Sequence, residues 1–338
     1  MGALLTCDNL PLSQPKNESY QVGKFCHDAV NCTDKSTFVQ LIAQKCEIEK
    51  YLQAALSGNT RRGYQSDLAH FIEWGGNIPA TPEILSHYLV AHAGILSPAT
   101  LNRRVVSIGR AHTSQGMESP TKADLVKATL RGIRRTVGTS QRQVSPAVKE
   151  HLLAMVDKLE GTKGARDRAL LLVGFAGAFR RSELVSVTYR DIEFAEQGLV
   201  ITIRRSKTDQ EGQGRKVAIP YARGATCPVL SLKAWLSISA ISDGPIFRPV
   251  TRHGRVLPAA LSTQAVAEIV KQRVAAIGLD PTKYSGHSLR AGLVTSAAQE
   301  GVSSWKIRQQ TGHKSDAMLQ RYIRDSQIFI DNAAGAIL

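Results

Sequence analysis

The stretch GLVITIRRSKTDQEGQGRKVAIPY, residues 198–221, alternates apolar with polar residues near both of its ends. Alternation at a period of two predicts two β-strands, and the polar, glycine-containing segment between them predicts a β-hairpin with its tip near residues 206–215. On both sides of this stretch, apolar residues recur at spacings of three and four, which predicts helices. The fold class is therefore expected to be mainly α, with a small β-sheet or hairpin.

Helices are predicted on both sides of that hairpin in the second half of the chain. The segment SPAVKEHLLAMVDKL, from residue 145, begins with Ser-Pro, and ARDRALLLVGFAGAFRRSELVSV continues as helical segments. Five further helices are expected after the hairpin, near residues 228–238, 261–277, 288–300, 303–311 and 315–324. Together these elements predict a mixed α/β domain over residues 147–338.

The first half of the chain carries only helical patterns. Residues 1–34 are rich in polar residues and lack periodicity, so we expect a mobile arm there. Five helical segments follow, of which the second is predicted to begin at a Thr60 cap, and the next two begin with Thr-Pro and Ser-Pro. The expected organisation is an all-α domain over residues 35–135, then a linker over residues 136–146.

The charge of the chain points to nucleic acid. The 338 residues carry a formal net charge of +15. Residues 96–150 alone hold ten Lys/Arg and three Asp/Glu. A surplus of this kind is typical of proteins that bind nucleic acid, although a solvated basic surface would give the same count. The candidate DNA-contact residues lie on two predicted helices and are Arg103, Arg104, Arg110, Lys127, Arg131, Arg134 and Arg135.

Several other classes of protein fit the sequence poorly. No run of about 18 apolar residues occurs, so no membrane span is predicted. The N-terminus lacks the charged region of a signal peptide. The five cysteines include no CxxC pair, which favours reduced thiols over a metal site. We therefore expect a cytoplasmic protein without a bound metal.

Two motifs before and within the hairpin place charged groups next to apolar segments. Arg180 and Glu183 follow the apolar run LLLVGFAGAF and stand three residues apart, so they are expected to share a helix face. A surface ion pair would explain the same spacing. The neighbouring Arg181 lacks the three-residue spacing to Glu183, so Arg180 is the better candidate. Lys207 lies at the predicted hairpin tip, where a lysine usually has no special role.

Three further residues follow in the last quarter of the chain. His287 and Arg290, in SGHSLRAGLV, stand three apart at a predicted helix start, which suits a phosphate better than a metal because arginine is not a metal ligand. His313 follows Gly312 after another predicted helix. Tyr322 lies on the next helix, where a tyrosine is more often part of the core than a nucleophile.

The order of these motifs resembles the tyrosine recombinases, also called the phage integrase family. An Arg-x-x-Glu, a hairpin lysine, a His-x-x-Arg, a Gly-His and a tyrosine nine residues later follow one another across the whole second domain. The preceding helical domain is similar to the core-binding domain of that family. The sequence YIRD around Tyr322, the chain length and the tail after it look most like the Cre-type members.

The resemblance implies a reaction for Tyr322 and Lys207. Tyr322 would attack a DNA phosphodiester and form a 3′-phosphotyrosyl bond, releasing a 5′-hydroxyl. Lys207 would be the general acid that protonates the leaving 5′-oxygen. Because the tyrosine ester retains the bond energy, the resemblance implies no cofactor, no ATP and no metal.

The other site residues would act on the phosphate or the nucleophile. By the same resemblance, Arg180 and Arg290 would hold the two non-bridging oxygens as negative charge grows. His287 would position or deprotonate the nucleophile, and His313 would hydrogen-bond the phosphate. Glu183 would orient its neighbours.

The resemblance also implies partners. Exchange of strands between two duplexes needs four cleavages, hence a homotetramer on double-stranded DNA with inverted half-sites, acting through a Holliday junction. A monomer in solution is compatible with this, no membrane is involved, and the DNA-bound protein would lie on the nucleoid. The tail QIFIDNAAGAIL, residues 327–338, would pack on a neighbouring protomer or on its own domain.

Three alternatives use a related fold or the same chemistry. A type IB topoisomerase relaxes supercoils without exchanging partners, and a telomere resolvase seals hairpins. An architectural DNA-binding protein would bind without cutting. The complete set of candidate catalytic residues argues against the last alternative.

Overall fold

A computed structural model describes residues 47, 50–51, 55–139, 143–206, 209, 213–313, 315 and 319. The chain forms two compact units that divide between Gln141 and Arg142. Lys207, Tyr322, the 327–338 tail and nearly all of the predicted 315–324 helix lie outside the described residues, as do residues 1–46.

The described part of the first unit consists of four helices. These are α1 (Gly58–Glu73), α2 (Pro82–Ala91), α3 (Pro98–Thr113) and α4 (Asp124–Val137), with a short 3₁₀ turn at Pro120–Lys122. Thr81 and Ser97 cap α2 and α3, and a proline follows each cap, as predicted. The predicted Thr60 cap is wrong, because the Ser57 side chain accepts a hydrogen bond from the Thr60 backbone N–H and α1 begins earlier.

Apolar side chains from all four helices form the core of this unit. Helix α1 packs on α3, and α2 packs on α4. The core contains Phe71, Ala80, Leu85, Tyr88, Leu89, Leu101, Val105, Ile108, Val126, Leu130 and Ile133. The outer faces of α3 and α4 stay exposed and carry most of their arginines.

The described part of the second unit contains seven helices and one sheet. The helices are α5 (Lys149–Asp157), α6 (Gly161–Ala176), α7 (Arg181–Ser186), α8 (Pro228–Ser239), α9 (Thr263–Ala276), α10 (Ser288–Gln299) and α11 (Ser304–Thr311). Short 3₁₀ turns lie at Tyr189–Asp191, Gly224–Thr226 and Pro281–Lys283.

The sheet has three antiparallel strands in the order β1 (Ile192–Ala195), β2 (Gly198–Ile203) and β3 (Arg215–Pro220). Strands β2 and β3 form the predicted hairpin, with Ile201 opposite Val217. The sequence did not indicate β1, which is only four residues long. The fold class is confirmed as mainly α with a small sheet.

Helix α6 lies at the centre of the second unit. Its residues 169–173 are buried, and α8 and α10 both pack against it. The buried side chains of β2 and β3, including Ile201 and Val217, join the same core. This packing fixes the end of α6 relative to the start of α10, which is where candidate site residues lie.

The chain that leads into α5 is fastened along α10. The backbone N–H groups of Ser145 and Ala147 donate to the carbonyls of Lys283 and Ser288, at 2.8 and 2.9 Å. The Lys149 N–H donates to the Ser296 hydroxyl at 3.0 Å. A Cβ at Gly292 would lie 1.9 Å from the Ala147 carbonyl oxygen, so only glycine permits this approach.

No described helix is long and apolar enough to cross a membrane. Within the same described ranges, His, Cys, Asp and Glu side chains form no group of three that could hold a metal ion.

Candidate active site

A tight turn positions Arg180 at the end of the buried helix α6. Ala178, which is fully buried, adopts a left-handed backbone conformation with φ of 49°. Arg180 then becomes the N-cap of α7, with Glu183 in the first turn. The two residues therefore do not share a helix face as predicted; they face each other across a helix start.

Glu183 receives Arg180 through both its backbone and its side chain. The Arg180 backbone N–H donates to Oε2 at 3.0 Å, and its guanidinium donates to Oε1 at 2.6 Å. The Glu183 side chain is 1% exposed and that of Arg180 16%. A carboxylate buried to this extent requires such partners, and they hold the guanidinium in one orientation.

Arg290 joins three segments from inside the unit. It lies in the first turn of α10 and is 1% exposed. Its guanidinium donates to the carbonyl of Ala178 at 2.8 Å and to that of Thr311 at 2.7 Å. Arg290 therefore ties the turn before Arg180 to the end of α11.

A third arginine, Arg215, was not among the residues identified from sequence. It begins β3, and its guanidinium donates to Glu183 Oε2 at 3.4 Å and to the Gln310 carbonyl at 3.0 Å. The alternation of β3 could have revealed it, since Arg215 shares a strand face with the buried Val217 and Ile219. An arginine on the core side of a strand needs a specific partner, which here is Glu183.

Two histidines lie close to these arginines. His287 is the residue before α10 and keeps part of its surface exposed. The protein atoms packed around its ring lower the pKa of His287, and the charges of Arg290 and Arg180 lower it further. For His313, burial together with the charges of Arg290, Arg180, His287 and Arg215 lowers the pKa to about 4. Both shifts favour the neutral imidazole at pH 7.

A glycine turn directs His313 back toward α11. Gly312 ends the helix with φ of 68°, as predicted for a helix stop. His313 Nδ1 lies 2.8 Å from the hydroxyl of Thr311. A Cβ at Gly312 would lie 3.1 Å from Nε of Arg215, so the missing side chain also leaves room for that arginine.

Asp209 forms hydrogen bonds with the described residues between β2 and β3. Ser206 and Asp209 exchange backbone hydrogen bonds at 3.2 and 3.1 Å. The Asp209 carboxylate accepts from the backbone N–H groups of Gln213 and Gly214, at 3.1 and 2.7 Å. Lys207 itself and Tyr322 lie outside the described residues.

The structure thus brings together five of the seven residues predicted for the catalytic set. Arg180, Glu183, His287, Arg290 and His313 are linked by the contacts and charge effects above. The guanidinium groups of this cluster can donate hydrogen bonds to an oxyanion, and the imidazoles can accept or donate a proton beside it.

The predicted DNA-contact residues lie in the first unit and differ in how exposed their side chains are. Arg110, Lys127, Arg131, Arg134 and Arg135 are exposed on α3 and α4. Arg134 donates to the Asn102 side chain at 2.9 Å, and the Arg110 guanidinium lies 5.6 Å from the centre of the Tyr64 ring.

Arg103 and Arg104 both have hydrogen-bond partners on neighbouring helices, but only Arg104 is buried. Arg103 is half-exposed and binds Asp67 through two hydrogen bonds of 2.8 and 2.7 Å. Arg104 is 8% exposed and donates to His70 and Tyr88, both at 2.7 Å. Arg104 is thus part of the interior, and its prediction as a DNA contact is corrected on that ground.

The second unit corresponds to a described protein family. Residues 142–327 match the phage integrase family. Over 296 residues the chain is 42% identical to the integrase/recombinase xerD homolog of Selenomonas ruminantium, covering 84% of this chain and 87% of the relative. The chain belongs to the phage integrase family. It is a tyrosine recombinase, as the order of its motifs predicted.

Two solved structures show the same fold. A lambda integrase dimer bound to a COC′ core site matches with a TM-score of 0.59 at 19% identity, covering 84% of this chain and 95% of that one. The XerH site-specific recombinase bound to a palindromic difH substrate, in a post-cleavage complex, matches with a TM-score of 0.56 at 21% identity, covering 76% and 72%. The particular likeness to Cre-type members stays a prediction.

Proposed function

We propose that this recombinase cleaves and rejoins DNA at specific sites through a 3′-phosphotyrosyl intermediate. The observation that carries the proposal is the pair of arginines, Arg180 and Arg290, each held in one orientation by hydrogen bonds near His287 and His313. Guanidinium groups fixed before the substrate arrives stabilise developing negative charge without reorganising during the reaction.

The two arginines would hold the non-bridging oxygens of the scissile phosphate. Arg180 is oriented by Glu183, and Arg290 by the carbonyls of Ala178 and Thr311. These partners support the assignment because they hold each guanidinium in one orientation before the substrate arrives. Arg215, which shares the Glu183 carboxylate, would hold that carboxylate in place.

Proton transfer would involve Tyr322, Lys207 and the histidines. The Tyr322 hydroxyl loses its proton, aided by His287, and attacks phosphorus. The P–O bond to the 5′-oxygen breaks, and Lys207 donates a proton to that oxygen. His313 would contact the phosphate. Since one phosphate ester replaces another, the reaction as proposed needs no cofactor.

The first unit would bind DNA through its exposed basic residues. Six of the predicted residues are exposed on two neighbouring helices and suit phosphate contacts, namely Arg103, Arg110, Lys127, Arg131, Arg134 and Arg135. We assign residues 35–137 to this core-binding role, residues 138–144 to the linker and residues 145–338 to catalysis. The predicted linker of residues 136–146 is shortened because α4 ends at Val137 and the Ser145 N–H donates to the Lys283 carbonyl. The XerH recombinase bound to its difH substrate and the lambda integrase dimer bound to its core site support DNA as the partner.

The assembly would be a homotetramer on two duplexes with inverted half-sites. Strand exchange through a Holliday junction requires one nucleophile for each of four cleavages, and protein two-fold symmetry is mirrored in the DNA. Such a protein would work on the nucleoid. The 327–338 tail would pack on a neighbouring protomer.

The test is a denaturing gel for a covalent protein–DNA adduct. Nicked duplexes tiled from the region flanking the gene serve as substrates for the full chain. We expect an adduct with the wild type and none with Tyr322→Phe, while a gel shift shows that both bind DNA. Tyr189→Phe, at a partly exposed tyrosine of the second unit, is the matched control and should form the adduct normally.

Each outcome discriminates among the candidate functions. An adduct that persists in Tyr322→Phe contradicts the nucleophile assignment. Binding without any adduct, repeated on sites selected by the protein itself, would favour an architectural role. An adduct with relaxation of supercoils but no exchange between two sites would favour a topoisomerase, and sealed hairpin ends would favour a telomere resolvase.

A further inference from the structure

The hydroxyl group of Thr311 contacts His313 at the end of α11. Thr311 is fully buried, and its Oγ1 lies 2.8 Å from Nδ1 of His313. The same oxygen lies 2.8 Å from the backbone carbonyl of Ile307, one turn earlier, and 3.4 Å from that of Arg308. One hydroxyl therefore faces an imidazole nitrogen and a carbonyl oxygen at equally short distances.

The number of available hydrogens determines which atom donates in the contacts of the Thr311 hydroxyl. A threonine hydroxyl has one hydrogen, and a carbonyl oxygen can only accept. If Thr311 donated to Nδ1, its oxygen and the Ile307 oxygen would face each other at 2.8 Å with no hydrogen between them. If Thr311 donates to Ile307, as threonines on helices commonly do, Nδ1 of His313 must carry the hydrogen and donate to Thr311. Only the second arrangement satisfies both contacts.

We propose that Thr311 is a positioning residue whose hydroxyl fixes the hydrogen of neutral His313 on Nδ1, so that Nε2 is a hydrogen-bond acceptor. In a neutral imidazole, one nitrogen donates and the other accepts, and the partner of the first sets the role of the second. The group that faces Nε2 in the DNA-free protein must then be a donor.

The charges around His313 keep it neutral, which makes its tautomer matter. Arg290 on α10, Arg180 before α7, Arg215 on β3 and the neighbouring His287 all disfavour a second proton on the ring. The carboxylate in this cluster, Glu183, already accepts from Arg180 and Arg215. Arg308 of α11 directs its Nε toward the His313 backbone carbonyl, at 3.5 Å.

The tautomer also has a consequence for how His313 would act on a phosphate. Only this consequence rests on the proposed function. A neutral His313 with its hydrogen on Nδ1 cannot donate from Nε2 to a phosphate oxygen. It donates only after Nε2 gains a proton, which the negative charge of a bound phosphate favours. His313 would therefore take up a proton as the phosphate binds.

The tautomer can be measured directly by nitrogen NMR. The full-length chain, labelled with ¹⁵N at histidine and free of DNA, is examined at pH 7, and His313→Gln identifies the His313 signals. We expect the wild type to show a protonated-type Nδ1 and an unprotonated-type Nε2. Thr311→Ser keeps the hydroxyl and should give the same pattern.

Variants without the hydroxyl should lose that pattern. Thr311→Val preserves the shape, and Thr311→Ala is the second choice if valine prevents folding; both leave the backbone carbonyl that Arg290 uses. We expect the Nδ1–H form to fall from the dominant to the minor tautomer. A wild type with hydrogen on Nε2, or a folded valine or alanine variant with an unchanged pattern, would overturn the proposal. The NMR measurement involves neither DNA nor cleavage. A negative adduct test therefore does not change its outcome, and an unexpected tautomer does not change the outcome of the adduct test.

Discussion

Replacing Glu183 with glutamine removes the negative charge from the centre of the arginine cluster. The carboxylate accepts three hydrogen bonds, two from Arg180 at 3.0 and 2.6 Å and one from Arg215 at 3.4 Å. Glutamine keeps the shape of the side chain but replaces one acceptor oxygen with an NH₂ group. Whichever oxygen is replaced, that donor then faces an N–H donor of Arg180.

The size of the effect follows from those contacts. Hydrogen bonds to charged groups contribute about 1.5–3 kcal/mol each, and removal of one partner of a buried ion pair costs about 3–5 kcal/mol. Glu183→Gln keeps part of the network, so we expect a loss of about 3 kcal/mol in the free energy of unfolding. For a unit of this size, that corresponds to a fall in Tm of roughly 6–12 °C.

Thermal unfolding of the full-length chain, followed by calorimetry, measures the change. Glu300→Gln is the matched control, because Glu300 pairs with Lys149 at 3.7 Å on an exposed surface. A pair of that kind contributes at most about 1 kcal/mol, so the control should unfold nearly as the wild type does. Equal Tm values for wild type and Glu183→Gln would refute the view that the carboxylate holds the arginines in place.

Three further predictions concern packing, protonation and acid catalysis. Gly292→Ala should destabilise the chain by about 1–3 kcal/mol because its Cβ would overlap the Ala147 carbonyl, whereas Gly132→Ala, in open space on α4, should stabilise it by about 0.5–1 kcal/mol; equal melting curves would contradict this. The pKa of His313 is lowered from the usual 6.5 to about 4 in the folded chain. Between pH 6.5 and 4 the unfolded state therefore binds more protons than the folded state, and the free energy of unfolding decreases by up to about 3 kcal/mol as the pH falls. Denaturant titrations of His313→Gln should lack that part of the loss, and an identical pH dependence would count against it. Lys207→Ala should slow DNA cleavage without weakening binding, and a substrate with an activated 5′-leaving group should restore the rate; no restoration would argue against a general acid.

Pairs of identical local signals show how far the sequence predicts the helices. Ser97-Pro98 and Ser145-Pro146 are the same dipeptide, and both were expected to open a helix. The first does, but α5 begins only at Lys149. The Ser145 backbone is hydrogen-bonded to Lys283, far away in the sequence, and a local pattern cannot show such a contact.

The periodicity of α3 indicates that Arg104 is buried. Leu101, Arg104, Val105 and Ile108 recur at helical spacing, and all four are buried. The basic composition of α3 suggested a uniformly exposed set, whereas its periodicity places Arg104 among the apolar residues. The face of a helix on which a charge lies is therefore a better guide than the count of charges.

The order of the motifs predicted most residues of the candidate site. The fold shows the hydrogen bonds that connect them. Spacing alone suggested that Arg180 and Glu183 share a helix face, but α7 begins at Arg181, so Arg180 precedes that helix as its N-cap. Arg215 escaped notice because it belongs to no motif. Its role depends on the register of β3 beside Glu183, which only the folded chain establishes.

The hydrogen bonds of residues 145–149 make the position of α10 independent of the length of the chain before Ser145. From Ser145 onward the path of the chain is set by hydrogen bonds to Lys283, Ser288 and Ser296. Insertions or deletions before Ser145 can accumulate without moving the helix that holds Arg290. A change in the length of the chain before Ser145 should therefore leave the arrangement of the arginine cluster unchanged.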